Sequence, residues 1–277
     1  MKDFILTSCQ MNVVDNKKKN ILHAQNMIRT ASQKYNANLV TLPEMFNTHY
    51  TNDKFIENAE YEDESITLNS MKDIAKEEKI YLQCGTMPEK EENALYNTAY
   101  LINPKGKIIG KHRKVHMFDI DTDTMKFKES DTLSPGDKVT TIKTELGIIS
   151  LAICYDIRFP ELWTLMSKNH TDIFLLPGAF NLTTGPLHWE TLIRARAIDN
   201  QAYVIATSPS QVENPYYIAW GHSMIVDPWG KIVEQAHKKE EMLTTKIKQS
   251  TITSVREQIP VLKNKRHDVY DTIQKNK

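Results

Sequence analysis

The chain has 277 residues, of which 40% are hydrophobic and 25% charged, and its 35 acidic residues balance its 35 basic residues. A chain of this length buries roughly 75% of the surface that it exposes when unfolded, so it can form a full hydrophobic core without disulfides. This composition excludes a disordered or collagen-like protein, and a net charge of zero gives no general attraction to nucleic acid or to an anionic membrane. We therefore expect neither nucleic acid nor a membrane among the partners.

The cysteines and the N-terminal residues bear on the cellular compartment. Cys9, Cys84 and Cys154 cannot all pair within one chain, and their positions match no metal-ligand spacing, which suits a reducing compartment. The N-terminal apolar stretch is short and interrupted by polar residues, so it does not resemble a signal peptide. No apolar run approaches the roughly 20 residues that span a bilayer. We expect a cytoplasmic protein.

The hydrophobic pattern predicts alternating strands and helices. Apolar side chains at Ile21, Ala24, Ile28 and Ala31 recur at helical spacing, whereas the continuous apolar run at 148–153 indicates a strand buried on both faces. In the first part of the chain the pattern predicts, in order, a strand at 4–6, a helix at 20–35, a strand at 39–42, a helix at 68–79, a strand at 80–84 and a hairpin of 96–102 with 107–110. An irregular excursion follows over 116–138. The pattern then predicts a strand at 148–153, a helix at 160–168, a strand at 173–176, a helix at 188–200, a strand at 203–207 and a hairpin of 224–226 with 232–233.

Strands that alternate with helices predict an α/β fold, and the hairpins add an antiparallel portion. The sequence contains no internal repeat, low-complexity tract or flexible linker, so residues 1–277 are expected to form a single domain. The stretch at about 243–277 is polar and basic, and we expect an ordered arm or a surface tail there rather than a second domain.

Several common classes of site lack their main sequence signals. The chain contains neither the G-x-G-x-x-G pattern of dinucleotide binding nor the phosphate-binding loop G-x-x-x-x-G-K-[ST], and it lacks H-E-x-x-H and paired C-x-x-C motifs. His112 and His116 are four residues apart, which on a helix would place both on one face, but no third ligand lies nearby in the sequence. We therefore expect no metal and no other cofactor.

Three residues with reactive side chains closely follow predicted strands: Glu44, Lys114 and Cys154. In α/β sheets, sites form beyond the carboxyl ends of strands. We therefore expect these three side chains to converge on one site.

A thiol such as that of Cys154 has a usual pKa of about 8.5 and acts as a nucleophile only when a base or a cation activates it. No histidine lies at an obvious strand end, so Glu44 is the candidate base, and Lys114 is the candidate cation for the thiolate and for an oxyanion. The backbone N–H of Tyr155 is a second oxyanion donor. Free cysteine is more often an inert buried side chain, an interpretation that stays open for Cys154 and is preferred for the other two cysteines.

Three short motifs surround these residues: LPE at 42–44, KHRKVH at 111–116 and ICYDIRFPE at 153–161. Glu44 and Lys114 are 70 residues apart, and Lys114 and Cys154 are 40 residues apart. Together the motifs resemble the three catalytic signatures of the nitrilase superfamily, the carbon–nitrogen hydrolases. The likeness covers nearly the whole chain and continues through RARAIDN at 194–200, WGHS at 220–223, VDPWG at 226–230 and RHDVY at 266–270.

Within that superfamily, the chain looks most similar to the omega-amidase branch, in HMFDID at 116–121, FKES at 127–130 and GAFNLTTGP at 178–186. The resemblance implies hydrolysis of the terminal amide of short dicarboxylic monoamides, such as α-ketoglutaramate and succinamate, through a cysteine thioester. It implies Cys154 as nucleophile, Glu44 as general base and Lys114 as oxyanion stabiliser. Glu129 matches the second glutamate of the family, which helps to position the substrate and the lysine.

The resemblance also implies an architecture. The family fold is an α-β-β-α sandwich that forms a homodimer, commonly with the C-terminal arm packed on the partner, and the reaction uses an amide substrate and water without a cofactor or metal. Two loops depart from close relatives, since 46–50 lacks a proline and a following glycine and 119–125 lacks a Pro-Gly turn. Both loops are expected to border the pocket and to influence substrate preference.

A dicarboxylic monoamide carries a distal carboxylate, which requires a cation or several hydrogen-bond donors. Arg158 is the candidate cation, with Tyr50 and Thr184 as donors. An ion pair of Arg158 with Asp156 or Glu161 is an equally good interpretation of that arginine. The other side chains expected at the pocket are His116, Phe118 and Phe180.

Other functions compete with this one. A sister amidase that acts on deaminated glutathione is the nearest alternative, and the segment at 180–184 favours the omega-amidase branch over it. A true nitrilase would accept a simple nitrile. A catalytically inactive scaffold of the same fold is disfavoured by the presence of all four candidate catalytic side chains. A peroxide-sensing thiol protein would need a resolving cysteine near Cys154, which the sequence lacks.

Overall fold

A computed structural model describes residues 2–122, 125–213 and 217–275. Its helices are α1 (Lys17–Tyr35), α2 (Asn52–Asn58), α3 (Ile66–Glu77), α4 (Pro160–Ser167), α5 (Gly185–Asn200) and α6 (Gln249–Gln258). Its strands are β1 (Phe4–Gln10), β2 (Leu39–Thr41), β3 (Glu60–Tyr61), β4 (Tyr81–Glu91), β5 (Ala94–Ile102), β6 (Ile108–Arg113), β7 (Asp119–Asp121), β8 (Lys126–Lys128), β9 (Thr140–Thr144), β10 (Gly147–Leu151), β11 (Ile173–Pro177), β12 (Tyr203–Thr207), β13 (Met224–Val226), β14 (Ile232–Gln235) and β15 (Glu241–Ile247). Short 3-10 helices cover Glu129–Asp131 and Cys154–Arg158.

Two mixed sheets form the centre of the molecule. The first has the strand order β15-β1-β2-β4-β5-β6, with β3 alongside β4, and the second has the order β14-β13-β12-β11-β10-β9. In each sheet three neighbouring strands run parallel, namely β1, β2 and β4 in the first and β10, β11 and β12 in the second. The strands that flank these parallel sets are antiparallel to their neighbours, except that β3 runs parallel to β4.

The apolar side chains pack in three layers. Ile28 of α1 and Val40 of β2 belong to the layer between the helices and the first sheet, whereas Leu39 faces the second sheet, because neighbouring strand residues point to opposite faces. In the layer between the second sheet and its helices, Trp163 of α4 stacks on Phe174 of β11 with ring centroids 4.6 Å apart. The order is helix, sheet, sheet, helix, which confirms the α-β-β-α sandwich.

Local sequence determines where the helices begin. The side chain of Asn16 accepts a hydrogen bond from the Lys19 N–H at 3.0 Å, so α1 begins earlier than the position of 20 that the apolar pattern predicts. Asn36 ends α1 in the left-handed conformation, with φ of +55°. Pro160 begins α4, where a missing N–H costs no intrahelical hydrogen bond.

The first sheet is more extensive than the sequence pattern predicts. The predicted strand at 80–84 is only the first half of β4, which continues to Glu91 and pairs with β5 across a register shift between Gln83 and Thr86. The pattern also missed α2, β3 and β9, which are short or carry few apolar residues. In the excursion predicted at 116–138, β7 and β8 form a small hairpin, and residues 123–124 of the departing loop lie outside the described residues.

The C-terminal segment differs most from expectation. The arm expected at about 243–277 begins as a sheet strand, because β15 pairs antiparallel with β1 from Gln10 and Glu241 to Phe4 and Ile247. Leu243 is buried on β15 among exposed or half-buried neighbours, so the strand appears polar in sequence although one face joins the core. The arm is therefore confined to the residues after α6.

Candidate active site

Glu44 follows β2 at a sharp turn of the chain. Met45 has φ of +51°, and Gly85 approaches Pro43 so closely that a Cβ atom at residue 85 would clash with the Pro43 carbonyl oxygen. The Glu44 carboxylate is buried, and its Oε2 accepts a hydrogen bond from the Ala179 N–H at 2.9 Å. This turn therefore directs the carboxylate into the protein, towards the end of the second sheet.

Lys114 lies directly after β6, and its ammonium is buried between two glutamates. Its Nζ lies 3.2 Å from Glu44 Oε1, 3.0 Å from Glu129 Oε1 and 2.8 Å from Glu129 Oε2. The Lys114 backbone N–H donates to the Asn97 carbonyl at 2.9 Å. An isolated ammonium is costly to bury, so the two carboxylates are what make this position tolerable.

Two neutral donors lie between the carboxylates. Asn97 Nδ2 donates to Glu44 Oε1 at 2.9 Å and lies 3.4 Å from Glu129 Oε1. The Tyr50 hydroxyl lies 3.3 Å from Glu44 Oε1 and 3.1 Å from Glu129 Oε1. The same hydroxyl lies 3.0 Å from Lys114 Nζ. The predicted substrate donor Tyr50 is thus engaged with all three charged side chains.

Cys154 begins the 3-10 helix that follows β10, in a strained backbone conformation. Its φ is +43°, in the left-handed region that costs a non-glycine residue about 1–2 kcal/mol. The thiol is buried, and the Glu44 carboxylate and the Ala179 N–H are near enough to affect its pKa. Tyr155 lies in the first turn of this helix, where backbone N–H groups have no intrahelical acceptor and are available to an oxyanion.

Burial and charge determine the protonation states. Burial raises the pKa of Glu44, which the charge of Lys114 opposes and that of Glu129 reinforces. Burial and the Glu44 charge raise the pKa of the Cys154 thiol well above its usual value. Burial alone would lower the pKa of Lys114, but the charges of Glu129 and Glu44 outweigh it and raise that pKa. A neutral thiol thus faces a carboxylate that can take its proton, beside a cation that can stabilise negative charge.

A third buried carboxylate, that of Asp156, links the two segments that carry Lys114 and Cys154. Asp156 Oδ1 accepts from the Val115 N–H at 3.3 Å, directly after the lysine. Asp156 Oδ2 accepts from the Ile153 N–H at 3.0 Å, directly before the cysteine. One side chain therefore fixes the backbone on both sides of the site.

The two histidines considered above as metal ligands contact this carboxylate. His112 Nε2 lies 3.4 Å from Asp156 Oδ2, and His116 Nδ1 lies 2.8 Å from Asp156 Oδ1. The His116 ring also stacks on Phe159 with ring centroids 3.6 Å apart, and the expected contact of His116 with the substrate stays a prediction. Within residues 2–122, 125–213 and 217–275, no group of three His, Cys, Asp or Glu side chains is arranged to hold a metal ion.

A cavity of about 40 Å³ lies beside Glu44. Tyr50 and Ala179 form part of its wall, together with Thr48 and His49 from the loop that departs from close relatives. A cavity of this size holds only a few water-sized groups. The space next to the carboxylate therefore suits a small reacting group.

Arg158 lies at the end of the same 3-10 helix as Cys154. Its guanidinium carbon lies 4.9 Å from the ring centre of Phe180 and 5.5 Å from that of Tyr155. It makes no ion pair with Asp156 or Glu161 in the described part of the chain, since the Asp156 carboxylate points towards the histidines. The ion-pair interpretation of this arginine is therefore wrong.

The other predicted pocket residues differ in their contacts. Phe118 is buried, packs edge-on against Tyr155 at 5.3 Å and donates its N–H to Glu129 Oε2 at 2.7 Å. Thr184 donates its hydroxyl to Asn181 Oδ1 at 2.9 Å in the turn before α5, and it is not part of the cavity wall. The structure therefore brings Phe118 to the site and gives Thr184 a role in the turn.

Sequence reasoning missed several residues of the site. Asn97 lies in the middle of β5, and Tyr217, whose hydroxyl donates to the Ala179 carbonyl, lies in an irregular loop, so neither carried a local signal. The N–H of Ala179 is a backbone group that no side-chain pattern reveals. Asp156 stands within the motif at 153–161, and was considered only as a partner for an arginine.

Comparison with known proteins settles the family. The family model described as Carbon-nitrogen hydrolase matches residues 5–257. The chain belongs to the carbon–nitrogen hydrolase family. This carbon–nitrogen hydrolase is 44% identical over 271 residues to the omega-amidase NIT2 of Mus musculus, covering 98% of each chain. It is also 44% identical over 276 residues to the omega-amidase NIT2 of Xenopus tropicalis, covering 99% of each chain.

The solved structures agree with this assignment. The crystal structure of Saccharomyces cerevisiae Nit3, a member of branch 10 of the nitrilase superfamily, matches with a TM-score of 0.88 and 37% identity, covering 96% of this chain and 97% of that chain. The family and fold predicted from the sequence are thus confirmed, and the carbon–nitrogen hydrolase is an enzyme. None of its helices in the described ranges has both the length and the apolar character needed to cross a membrane.

Proposed function

We propose that this enzyme hydrolyses the terminal amide of short dicarboxylic monoamides, with succinamate and α-ketoglutaramate as substrates. The observation that carries the proposal is Arg158, whose buried Nε has no hydrogen-bond partner within the described ranges. Its Nη1 lies 3.2 Å from His188 Nδ1, a neutral contact that leaves the positive charge uncompensated. An unpaired buried donor costs about 1–3 kcal/mol, and a substrate carboxylate would satisfy it with a charge-assisted hydrogen bond.

The omega-amidases that share 44% identity with this chain support the same substrate class. The four candidate side chains Glu44, Lys114, Glu129 and Cys154 would supply the chemistry.

In the first half of the reaction, Cys154 Sγ attacks the amide carbon while Glu44 accepts the thiol proton. Lys114 and the N–H of Tyr155 stabilise the oxyanion of the tetrahedral intermediate. Glu44 then donates its proton to the amide nitrogen, the carbon–nitrogen bond breaks, and ammonia leaves. A thioester between the substrate acyl group and Cys154 is left in the site.

In the second half, water attacks the thioester carbon and Glu44 accepts a proton from that water. The same two donors hold the second oxyanion. When the carbon–sulfur bond breaks, the proton on Glu44 returns to the Cys154 sulfur, and the dicarboxylate product leaves. Glu129 does not exchange a proton in this scheme, because it holds Lys114 in place throughout.

The test is ammonia release from succinamate and α-ketoglutaramate, compared with butyramide, glutamine and propionitrile. Butyramide carries a methyl group where succinamate carries its carboxylate, so it reports the chemistry without the proposed arginine contact. We expect the two monoamides to be the best substrates and propionitrile to be inert. A Cys154→Ala variant is expected to release no ammonia from any of them.

An Arg158→Gln variant tests the carboxylate contact directly. Loss of a charged hydrogen bond of about 1.5–3 kcal/mol predicts a fall in kcat/KM for succinamate of about 10- to 100-fold, with little change for butyramide. Arg158→Lys is the matched control, because it keeps the charge but not the planar donor group. A wild-type preference for butyramide, or an equal loss on both amides, would contradict the proposed substrate class.

A further inference from the structure

The hydroxyl of Tyr50 is the only neutral oxygen described within hydrogen-bond distance of Lys114 Nζ, which it contacts at 3.0 Å, among residues 2–122, 125–213 and 217–275. It is also 3.1 Å from Glu129 Oε1 and 3.3 Å from Glu44 Oε1. The sequence predicts this tyrosine as a donor to the substrate carboxylate. Its contacts instead lie among the groups that carry the proposed chemistry.

The number of hydrogen-bonding sites on a tyrosine limits what this contact can be. A phenol hydroxyl has one proton to donate and lone pairs that accept. Lys114 carries an ammonium, which can only donate, so it occupies a lone pair of Tyr50. The single phenol proton is then left for one of two carboxylate oxygens, Glu44 Oε1 or Glu129 Oε1.

The charge balance of the site explains why such a donor is needed. Two carboxylates and one ammonium carry a net charge of −1, and the side chains of Glu44, Glu129 and Lys114 are all fully buried. Buried charges are tolerated only when their remaining hydrogen-bonding capacity is satisfied. Tyr50 and Asn97 are neutral side chains within hydrogen-bond distance of both carboxylates, and each can donate a hydrogen bond to them.

We propose that Tyr50 is a positioning residue of the hydrolysis, whose hydroxyl holds the Lys114 ammonium and shares its proton between Glu44 and Glu129, and that it does not bind the substrate carboxylate. This inference rests on the proposed roles of the four catalytic side chains. When Glu44 has accepted the thiol proton it is neutral, and the Tyr50 proton turns to the charged Glu129. When Glu44 is charged again, the proton turns back, and no covalent bond to the phenol oxygen breaks.

Packing fixes the ring that carries this hydroxyl. Tyr50 lies edge-on to Phe55 of α2 at 5.2 Å and against Tyr217 at 4.9 Å. The ring cannot follow a displaced lysine without disturbing these contacts. The hydroxyl is therefore held in position before substrate binds.

The proposal predicts a change in pH dependence. A hydrogen bond donated to a carboxylate favours its charged form, so removal of the Tyr50 hydroxyl raises the pKa of Glu44. The base must be ionised to accept the thiol proton, so the acid limb of kcat/KM moves to higher pH. The other groups that face Glu44 and stay in place are Lys114, Glu129, Cys154, Asn97, Tyr217 and the N–H of Ala179.

The experiment compares Tyr50→Phe with wild type on succinamate and butyramide across pH. We expect kcat/KM to fall about 10- to 100-fold, mainly through kcat and equally on both amides, as for loss of a hydrogen bond to a charged group. Tyr100→Phe is the matched control, because Tyr100 is also buried and its hydroxyl contacts a carboxylate, Glu62 at 3.4 Å, outside the site. Thermal melting of both variants separates loss of activity from loss of fold.

The outcomes separate this proposal from the proposed function. A fall in kcat/KM confined to succinamate would make Tyr50 a substrate ligand. An unchanged kcat, with an acid limb of kcat/KM that does not move, would show that Tyr50 has no part in the reaction. If the wild type hydrolyses butyramide but not succinamate, the dicarboxylate proposal fails while Tyr50 is still tested on butyramide. Alkylation of Cys154 by iodoacetamide proceeds without amide hydrolysis, and the acid limb of the alkylation rate is expected to shift in the same direction as that of kcat/KM.

Discussion

Among single residues, Asp156 shows how a charge is kept inside this protein. Burial alone would raise the pKa of its carboxyl group, but hydrogen bonds from His112 and His116 and from the Ile153 N–H outweigh burial and hold that pKa well below the usual value. A carboxylate whose pKa is lowered on folding stabilises the folded state above its unfolded pKa, near 3.9. This stabilisation is lost as the pH falls through the folded-state pKa.

We expect Asp156→Asn to lower the free energy of unfolding at pH 7 by roughly 3 kcal/mol, since it removes the charged partner from a buried network. Below about pH 4 the difference between wild type and variant is expected to shrink, because the wild-type carboxylate is then protonated increasingly in the unfolded state. Urea unfolding of wild type and variant from pH 3 to 8 measures this difference in the free energy of unfolding. Asp268→Asn, which alters an exposed carboxylate, is the control. A difference that is constant over this pH range would show that the charge is not responsible.

Among the secondary structure elements, β4 determines where Glu44 lies. Gly85 has φ of +55° at the register shift of β4, and its α-carbon faces the Pro43 carbonyl oxygen directly before Glu44. A side chain at this position must displace backbone rather than a flexible side chain. The glycine therefore permits the close approach of β4 that holds the carboxylate in the site.

Gly85→Ala is expected to reduce kcat at least tenfold, because the displaced Glu44 no longer reaches the thiol, and to lower the melting temperature. Gly106→Ala is the matched control, since Gly106 also has positive φ, at +71°, and its added Cβ would lie 2.8 Å from the Lys72 carbonyl oxygen, away from the site. The control should destabilise the fold by about 1–2 kcal/mol while the folded enzyme keeps its kcat. Ammonia release and thermal melting measure the two effects, and a fully active Gly85→Ala enzyme would refute the argument.

The secondary structure elements also explain which parts of the fold and of the site could be predicted from the sequence. Glu44, Lys114 and Cys154 were identified because each closely follows a predicted strand and stands in one of the three short motifs. Asn97 escaped notice because it lies within a strand, where its orientation depends on the register of β5 against β4 and β6. The edge strand β15 was missed because only one of its faces is buried. Local patterns thus predicted the strand ends, whereas contacts made by tertiary pairing could not be predicted.

For the whole molecule, α5 exposes two large apolar side chains, with the exposed Glu190–Arg194 ion pair between them along the helix. Leu187 and Ile198 are 68% and 47% exposed, and they are eleven positions apart, which corresponds to about three helical turns, so they lie on one face. Trp229 is 43% exposed in the adjoining turn, where Gly230 approaches Ile198. Exposed apolar patches of this kind commonly mark protein interfaces.

We predict that the enzyme is a homodimer that buries Leu187, Ile198 and Trp229. Light scattering of the wild type should give twice the mass of one chain, and Ile198→Glu should give a monomer, because a charge would be buried at the interface. Ile56→Glu is the control, since Ile56 is exposed on a different helix, α2. A wild-type monomer, or a dimer unaffected by Ile198→Glu, would contradict this prediction.

The pairing of β1 with β15 has a consequence for biosynthesis. Phe4 pairs with Ile247, so a strand near the start of the chain gains its second neighbour only from residues near the far end. During translation, β1 can pair with β2, but its other edge stays unpaired until β15 leaves the ribosome. Contacts this distant in sequence slow folding, and an unpaired edge invites association with other chains. The growing polypeptide is therefore expected to depend on chaperones until residues 241–247 have been synthesised.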